Sequence, residues 1–141
     1  MTHTFESDEA AARAVLDAIQ AKDPDRLAAL ALTRDEFATI VWPTLPISRP
    51  EVGMPMDYVW QDTATKSGAN LAQTLADFGG RQFTLERVEF RGETTAAADY
   101  TVSRKTYLVV KNEGGEQKTI RVFGSIIRQD GRSKVYSYIL D

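Results

Sequence analysis

Tyr58 and Asp62 stand four residues apart, as do Asp62 and Lys66, in a stretch whose apolar residues recur at helical spacing. Each pair would therefore share one face of a helix. A second acid is available at Asp99, and Tyr58, Asp62 and Asp99 are the candidate catalytic residues. Arg104 falls in the same alternating strand set as Tyr100 and Val102, which would set a cation or hydrogen-bond donor at a pocket wall. Against a catalytic role, oppositely charged pairs at this helical spacing are ordinarily surface ion pairs worth a few tenths of a kcal/mol. On that reading Tyr58 and Trp60 simply anchor the helix to the core.

Other chemistries are poorly supplied. The one histidine, His3, sits near the chain start, where acid/base or ligand duty is not expected, and residues 1–6 read as a frayed tail. With no cysteine there is no thiolate nucleophile, disulfide or zinc-thiolate site, and no alternating-aspartate calcium pattern occurs, so neither a metal nor a cofactor is expected. Gly79-Gly80 ends a helix instead of opening one, and Gly114-Gly115 sits in a hairpin, so nucleotide binding is not supported. Gly124-Ser125 lies mid-strand with no histidine to activate the hydroxyl, and Ser125 reads as a small residue where something packs closely. A lone Pro43-Thr44-Leu45-Pro46 spacing lacks the flanking basic residues of a polyproline ligand.

Seventeen basic and 20 acidic residues give a net charge of −3, which leaves no cationic surplus for nucleic acid. No basic-then-apolar leader opens the chain, and no run approaches the roughly 18 apolar residues of a transmembrane segment. The home compartment stays open between the cytoplasm and export with a leader removed. The 141 residues suit one domain with a single core.

The elements that must position these residues are punctuated clearly. Ser7 caps a helix over about residues 8–22, Asp23-Pro24 opens a short second helix, and Thr33-Arg34-Asp35-Glu36 forms a capping-box pattern leading into Phe37, Ile40 and Val41. Four of the five prolines fall between Pro43 and Pro55, a stretch expected to be an extended, irregular loop. The longest helix runs from about Met56 to Phe78, with a break admissible in its polar middle, Gln61 to Asn70, and Gly79-Gly80 as its stop. Beyond Gly80 the period becomes two, predicting four strands: Phe83 to Phe90 with a bulge at Glu86-Arg87, Tyr100 to Val110, Gln117 to Arg128 and Lys134 to Leu140. Asn112 to Gly115 and Asp130-Gly131 join the later strands as hairpins. The fold class is thus α+β, N-terminal helices packed on a curved antiparallel four-stranded meander.

The last strands carry apolar residues in both alternating sets: Val102, Leu108, Ile126 and Val135 in one, and Val109, Phe123, Ile127, Tyr136 and Tyr138 in the other. A sheet with one wet face shows only one such set. The second face should therefore line a pocket, meet another subunit, or be covered by curling of the sheet and by the proline stretch. Trp60, Tyr100, Arg104, Phe123, Tyr136 and Tyr138 are the candidate ligand-pocket residues.

The order of elements resembles the nuclear transport factor-like superfamily of conical, cystatin-like α+β folds. The resemblance spans Ser7 to Asp141 and rests on the Thr33–Glu36 helix start, the long segment ending at Gly79-Gly80, and Phe123-Gly124-Ser125-Ile126 and Val135-Tyr136-Ser137-Tyr138 in the last strands. It departs before the longest helix, where a proline-rich stretch replaces the short hairpin of that family. The resemblance implies a cone with a pocket on its concave side and a homodimer through the convex side. It also implies, as in ketosteroid isomerases, that tyrosine and carboxylates in a dry pocket could transfer protons, desolvation raising the acid's pKa. The leading expectation is a non-enzymatic domain that binds a small apolar or amphipathic molecule or associates through its sheet. The alternatives are a small isomerase- or hydrolase-type enzyme using an Asp/Tyr pocket, and a structural domain of an exported protein.

Overall fold

The computed structural model describes residues 1–140; Asp141, the last residue of the span that carries the resemblance, lies outside them. Helix α1, Asp8–Gln20, begins where the Ser7 hydroxyl accepts from the Ala10 N–H at 3.1 Å, and it buries Ala11, Ala12, Val15, Leu16 and Ile19. Asp23 caps α2, Pro24–Leu30, in the same way. The capping box closes in both directions: Thr33 Oγ1 accepts from Glu36 N–H at 3.2 Å, and Glu36 accepts from Thr33 N–H at 2.9 Å. From it α3, Arg34–Glu36, widens into a π turn at Phe37–Val41.

The proline stretch is not the extended loop its composition suggests. It winds into three 3₁₀ turns, Trp42–Thr44, Pro46–Ser48 and Pro50–Val52, each with a proline in its first turn, where the absent N–H has no partner to lose. The 23-residue helix α4, Met56–Phe78, then runs unbroken through its polar middle. Gly80, at φ +81°, turns the chain out of it and donates its N–H to Ile19 O at 2.9 Å, tying the end of α4 to α1.

The described residues close with seven strands in two antiparallel sheets. These are β1 Thr84–Phe90, β2 Thr94–Ala96, β3 Thr101–Ser103, β4 Thr106–Lys111, β5 Gln117–Ile120, β6 Ser125–Gln129 and β7 Arg132–Ser137. The expected bulge is present, between Leu85 and Arg87, and the Asp130-Gly131 turn has both residues at positive φ, +53° and +73°. Two predicted strands are each broken in mid-course. The second bends at Arg104-Lys105, where Lys105 has φ +54°, and the third at Arg121 to Gly124.

Strand order is β1-β4-β5 in one sheet and β2-β3-β6-β7 in the other. Hydrogen bonds continue across the bend: Arg91 N–H to Lys105 O at 3.0 Å, Thr106 N–H to Gly124 O at 3.0 Å, and Gly124 N–H to Ser137 O at 3.0 Å. The meander is therefore folded sharply across its middle. Gly92 sits at that fold, where a Cβ would come within 3.1 Å of the Arg104 backbone.

The bend accounts for the two apolar faces, because the strands change which side they present as they cross it. Leu108, Val110, Val122, Phe123, Ile126 and Val135 pack with α1 in one core. Val102, Ile127 and Tyr100 pack on the other side, with Leu32, Phe37 and Val41 from the α3 region and with Met56, Val59 and Trp60 from the start of α4. The four-stranded sheet is thus covered on both faces by its own chain. The large hydrophobic residues left exposed among the described residues are Val52, Tyr58 and Leu140.

The tail expected at residues 1–6 is instead tied down. Phe5 exchanges backbone hydrogen bonds with Ser133, both at 2.8 Å, and Thr2 N–H donates to Glu36 at 2.6 Å. Together with Leu32 N–H, which donates to Val135 O at 2.9 Å, Phe5 covers the outer edge of β7, an otherwise open template for a stray strand.

Asp8 fixes α1 to this edge. The Arg128 guanidinium donates from Nε to Asp8 Oδ1 at 2.9 Å and from Nη2 to Oδ2, and the Ser133 hydroxyl donates to Oδ1 at 2.7 Å. Hydrogen bonds to charged groups are worth about 1.5–3 kcal/mol, so Asp8→Ala should lower the unfolding free energy by roughly that amount in urea denaturation. A loss below about 0.5 kcal/mol would mean the pair behaves as an ordinary surface contact.

Candidate functional site

Where α4 crosses the sheet it presents Thr63, Ala64 and Ser67, all small, between the larger Trp60 and Leu71. The two large residues hold the helix off and the small ones fail to fill the space beneath. What remains is a cleft of two adjoining compartments that share Thr63, Tyr136 and Ser137 as walls. A polar contact crosses it at Ser67, whose hydroxyl accepts from Tyr138 N–H at 3.0 Å.

The first compartment, about 220 Å³, lies among Val41, Leu45, Tyr100, Val102, Arg104, Ser125, Tyr136 and Ile139. The second, about 200 Å³, is bounded chiefly by Ala28, Ala31, Leu32, Trp60, Ala64, Leu71 and the Tyr138 ring. Together they reach the size of small-molecule sites, which run from roughly 300 Å³ upward.

The polar groups of the first compartment differ in how they are engaged. Thr44 uses its single proton on Val41 O at 2.7 Å, so the 2.6 Å contact between Thr44 Oγ1 and Tyr100 Oη has the phenol as donor. Tyr100 consequently faces the cleft as an acceptor. The Tyr136 and Ser125 hydroxyls have no hydrogen-bond partner among the described residues, although Ser125 is only 7% exposed. Burial pushes the Tyr136 phenol up to about 12, with Tyr100 adding to the rise and Arg104 opposing it. The phenol stays neutral across the physiological range and is a donor, not a base. Arg104 donates to Thr95 Oγ1 at 3.3 Å and has no ion-pair partner among the described residues.

Deeper in the fold the Tyr138 hydroxyl donates to Leu27 O at 2.5 Å, and burial raises its pKa as well. It is thereby engaged structurally and gives the cleft only its ring.

Of the residues expected at a pocket, Trp60, Tyr100, Arg104, Tyr136 and Tyr138 line this cleft. Phe123 does not: it is fully buried in the core beneath α1, because the break at Arg121 to Gly124 reverses the side its strand presents. The three catalytic candidates are scattered outside the cleft. Tyr58 is 69% exposed, Asp62 pairs with Lys66 at 2.9 Å on the outer stripe of α4, and Asp99 is exposed in the turn before β3. Their helical spacing does place Tyr58 and Asp62 on one face, but it is the face opposite the Trp60, Thr63, Ala64, Ser67 and Leu71 stripe.

Sequence reasoning missed the small lining residues Thr63, Ala64, Ser67, Ser125 and Ser137, and with them aliphatic ones such as Val41, Leu45, Ile139 and Leu71. The signal of the small ones was present in α4, where the inward stripe loses volume between Trp60 and Leu71 without any loss of helical continuity.

No cluster of three or more potential metal ligands occurs among the described residues, and none of their helices is long and apolar enough to cross a membrane. The face of β1-β4-β5 that carries Tyr107 is charged. Tyr107 there lies under the Arg91 and Arg121 guanidiniums, at 4.0 and 4.9 Å from its ring centre, and Glu89 pairs with Arg87 and Arg91. No protein-family model, curated protein or solved structure matches this chain.

Proposed function

We propose that the chain is a small-molecule-binding domain of nuclear transport factor-like type, and that an amphipathic ligand occupies the cleft under α4. The observation that carries this reading is the division of the cleft: one compartment is walled mainly by Trp60, Leu71 and alanines, while the other sets hydroxyls and a single cation beside Val41, Leu45, Val102 and Ile139. An apolar cavity with a few convergent polar groups is the usual form of a ligand site.

The chemistry of the lining favours binding over turnover. Among the described residues of the lining none is an aspartate, glutamate, histidine, cysteine or lysine, and the Tyr136 phenol is pushed away from neutrality. Such a lining offers hydrogen bonds and one positive charge but no group poised to take a proton near pH 7.

Titrating the protein with octanol while recording amide NMR spectra tests the assignment. Shifts should concentrate at Thr63, Ala64, Ser67, Tyr136 and Ser137 and saturate with a single affinity. Shifts spread over the surface, or none up to the solubility limit, would sink the reading.

A further inference from the structure

We infer that the cleft takes a monocarboxylate, with its head against Arg104 in the compartment walled by Ser125 and Tyr136 and its apolar chain directed toward Trp60 and Leu71. This inference rests on the reading of the cleft as a ligand site and adds the chemical class of the ligand.

Charge is the first argument. Arg104 is half-buried at the cleft wall, its one side-chain partner among the described residues is the neutral Thr95 hydroxyl, and none of the described residues lining either compartment is acidic. A cation in a concave, partly desolvated setting with no counter-charge focuses potential on whatever enters.

The donors supply the second argument. Ser125 and Tyr136 each bring a hydroxyl with no protein partner among the described residues, beside the Arg104 fork. A carboxylate is planar and accepts at about four lone-pair sites, which a guanidinium edge and two hydroxyls can fill together. With its phenol pushed up to about 12, Tyr136 remains a proton donor near neutral pH, where a carboxylate is ionised.

A doubly charged phosphate suits the compartment less well, because Arg104 is its only cation. Arg104 also borders an outer groove, together with Arg91, Lys105 and Glu93; Arg91 and Lys105 do not line the cleft, and Arg91 is already paired with Glu89. The second compartment, with Trp60, Leu71 and Ala64, suits an alkyl or aryl chain.

Calorimetric titration of the full chain with octanoate, octanol and octyl phosphate separates the possibilities. Octanoate should bind more tightly than octanol by roughly tenfold or more, the increment of one charge-assisted contact set. Arg104→Gln should bring that ratio near one, Tyr136→Phe should reduce it, and Lys118→Gln, which removes a charge on exposed β5, should leave it in place. Urea midpoints measured alongside verify that each variant is folded.

Equal affinity for octanoate and octanol would overturn the inference while leaving the cleft as a ligand site. Octyl phosphate binding best by about tenfold, or an acid preference that survives Arg104→Gln, would also overturn it. Failure of all three probes to bind would remove the cleft reading and this inference together.

Discussion

Replacing Glu36 by glutamine should lower the unfolding free energy by about 3–5 kcal/mol, the usual cost of leaving a buried charge without its partner. Lys134 is fully buried on β7, and its ammonium donates to Glu36 Oε1 at 2.6 Å. Glu36 in turn holds the α3 capping box through Thr33 N–H and the first residues through Thr2 N–H. Glutamine preserves the shape but turns one acceptor oxygen into an NH2 donor, so the substitution removes the charge together with the contacts made to that oxygen. The double variant Glu36→Gln with Lys134→Met removes the stranded ammonium and should recover much of the loss. Additive losses in urea denaturation would show that the two side chains are not coupled.

The same pair sets an acid limb. Burial raises the Glu36 pKa, but the Lys134 hydrogen bond, the Thr33 and Thr2 N–H groups and the Lys134 charge outweigh it and hold the carboxyl below its ordinary 4.5. A carboxyl depressed by folding contributes stability that is fully present above about pH 4.5 and is lost as the pH falls through the folded value. Stability of the native protein should therefore decline below that pH by more than that of Glu36→Gln. Parallel acid limbs would assign the decline to other carboxyls.

What was legible in the sequence is what is decided locally. Ser7, Asp23 and Thr33 each cap a helix with their own side chains, and the Asp130-Gly131 turn and the bulge after Leu85 depend on neighbours within a few residues. The break at Lys105 was not legible, since a lysine at positive φ gives no glycine signal and is held by pairing with Arg91 across the bend. That break decides which side Val102 and Leu108 face, and hence that the second apolar set becomes an internal core and a cleft wall instead of one continuous surface.

The order of the first residues is illegible for a related reason. Nothing in Met1 to Glu6 announces that β7 offers Phe5 an open edge or that Glu36 offers Thr2 an acceptor. The polar run in α4 is legible as an anomaly at which a break is admissible, and the helix continues through it without one. Small inward residues on an unbroken helix subtract volume, and the volume they subtract becomes the space beneath it.

Filling that space gives the largest expected effect on binding. Ala64 faces the second compartment from the inner stripe of α4, and phenylalanine there would occupy much of its roughly 200 Å³. Octanoate affinity should fall by about a hundredfold or more, because the chain loses its apolar site and the order of 3 kcal/mol that goes with burying several methylenes. Stability should hold or rise slightly, since the new ring enters empty space against Trp60 and Leu71 instead of displacing packed atoms. Ala72→Phe, on the exposed face of the same helix, carries the same loss of helix propensity and should leave binding intact. If Ala64→Phe bound octanoate like the native protein, the ligand would have to sit elsewhere. If it unfolded more easily than Ala72→Phe by over about 1 kcal/mol, the compartment would not be open in solution. Retained folding with binding abolished is the one combination that places the ligand under α4, where the helix carries its small residues.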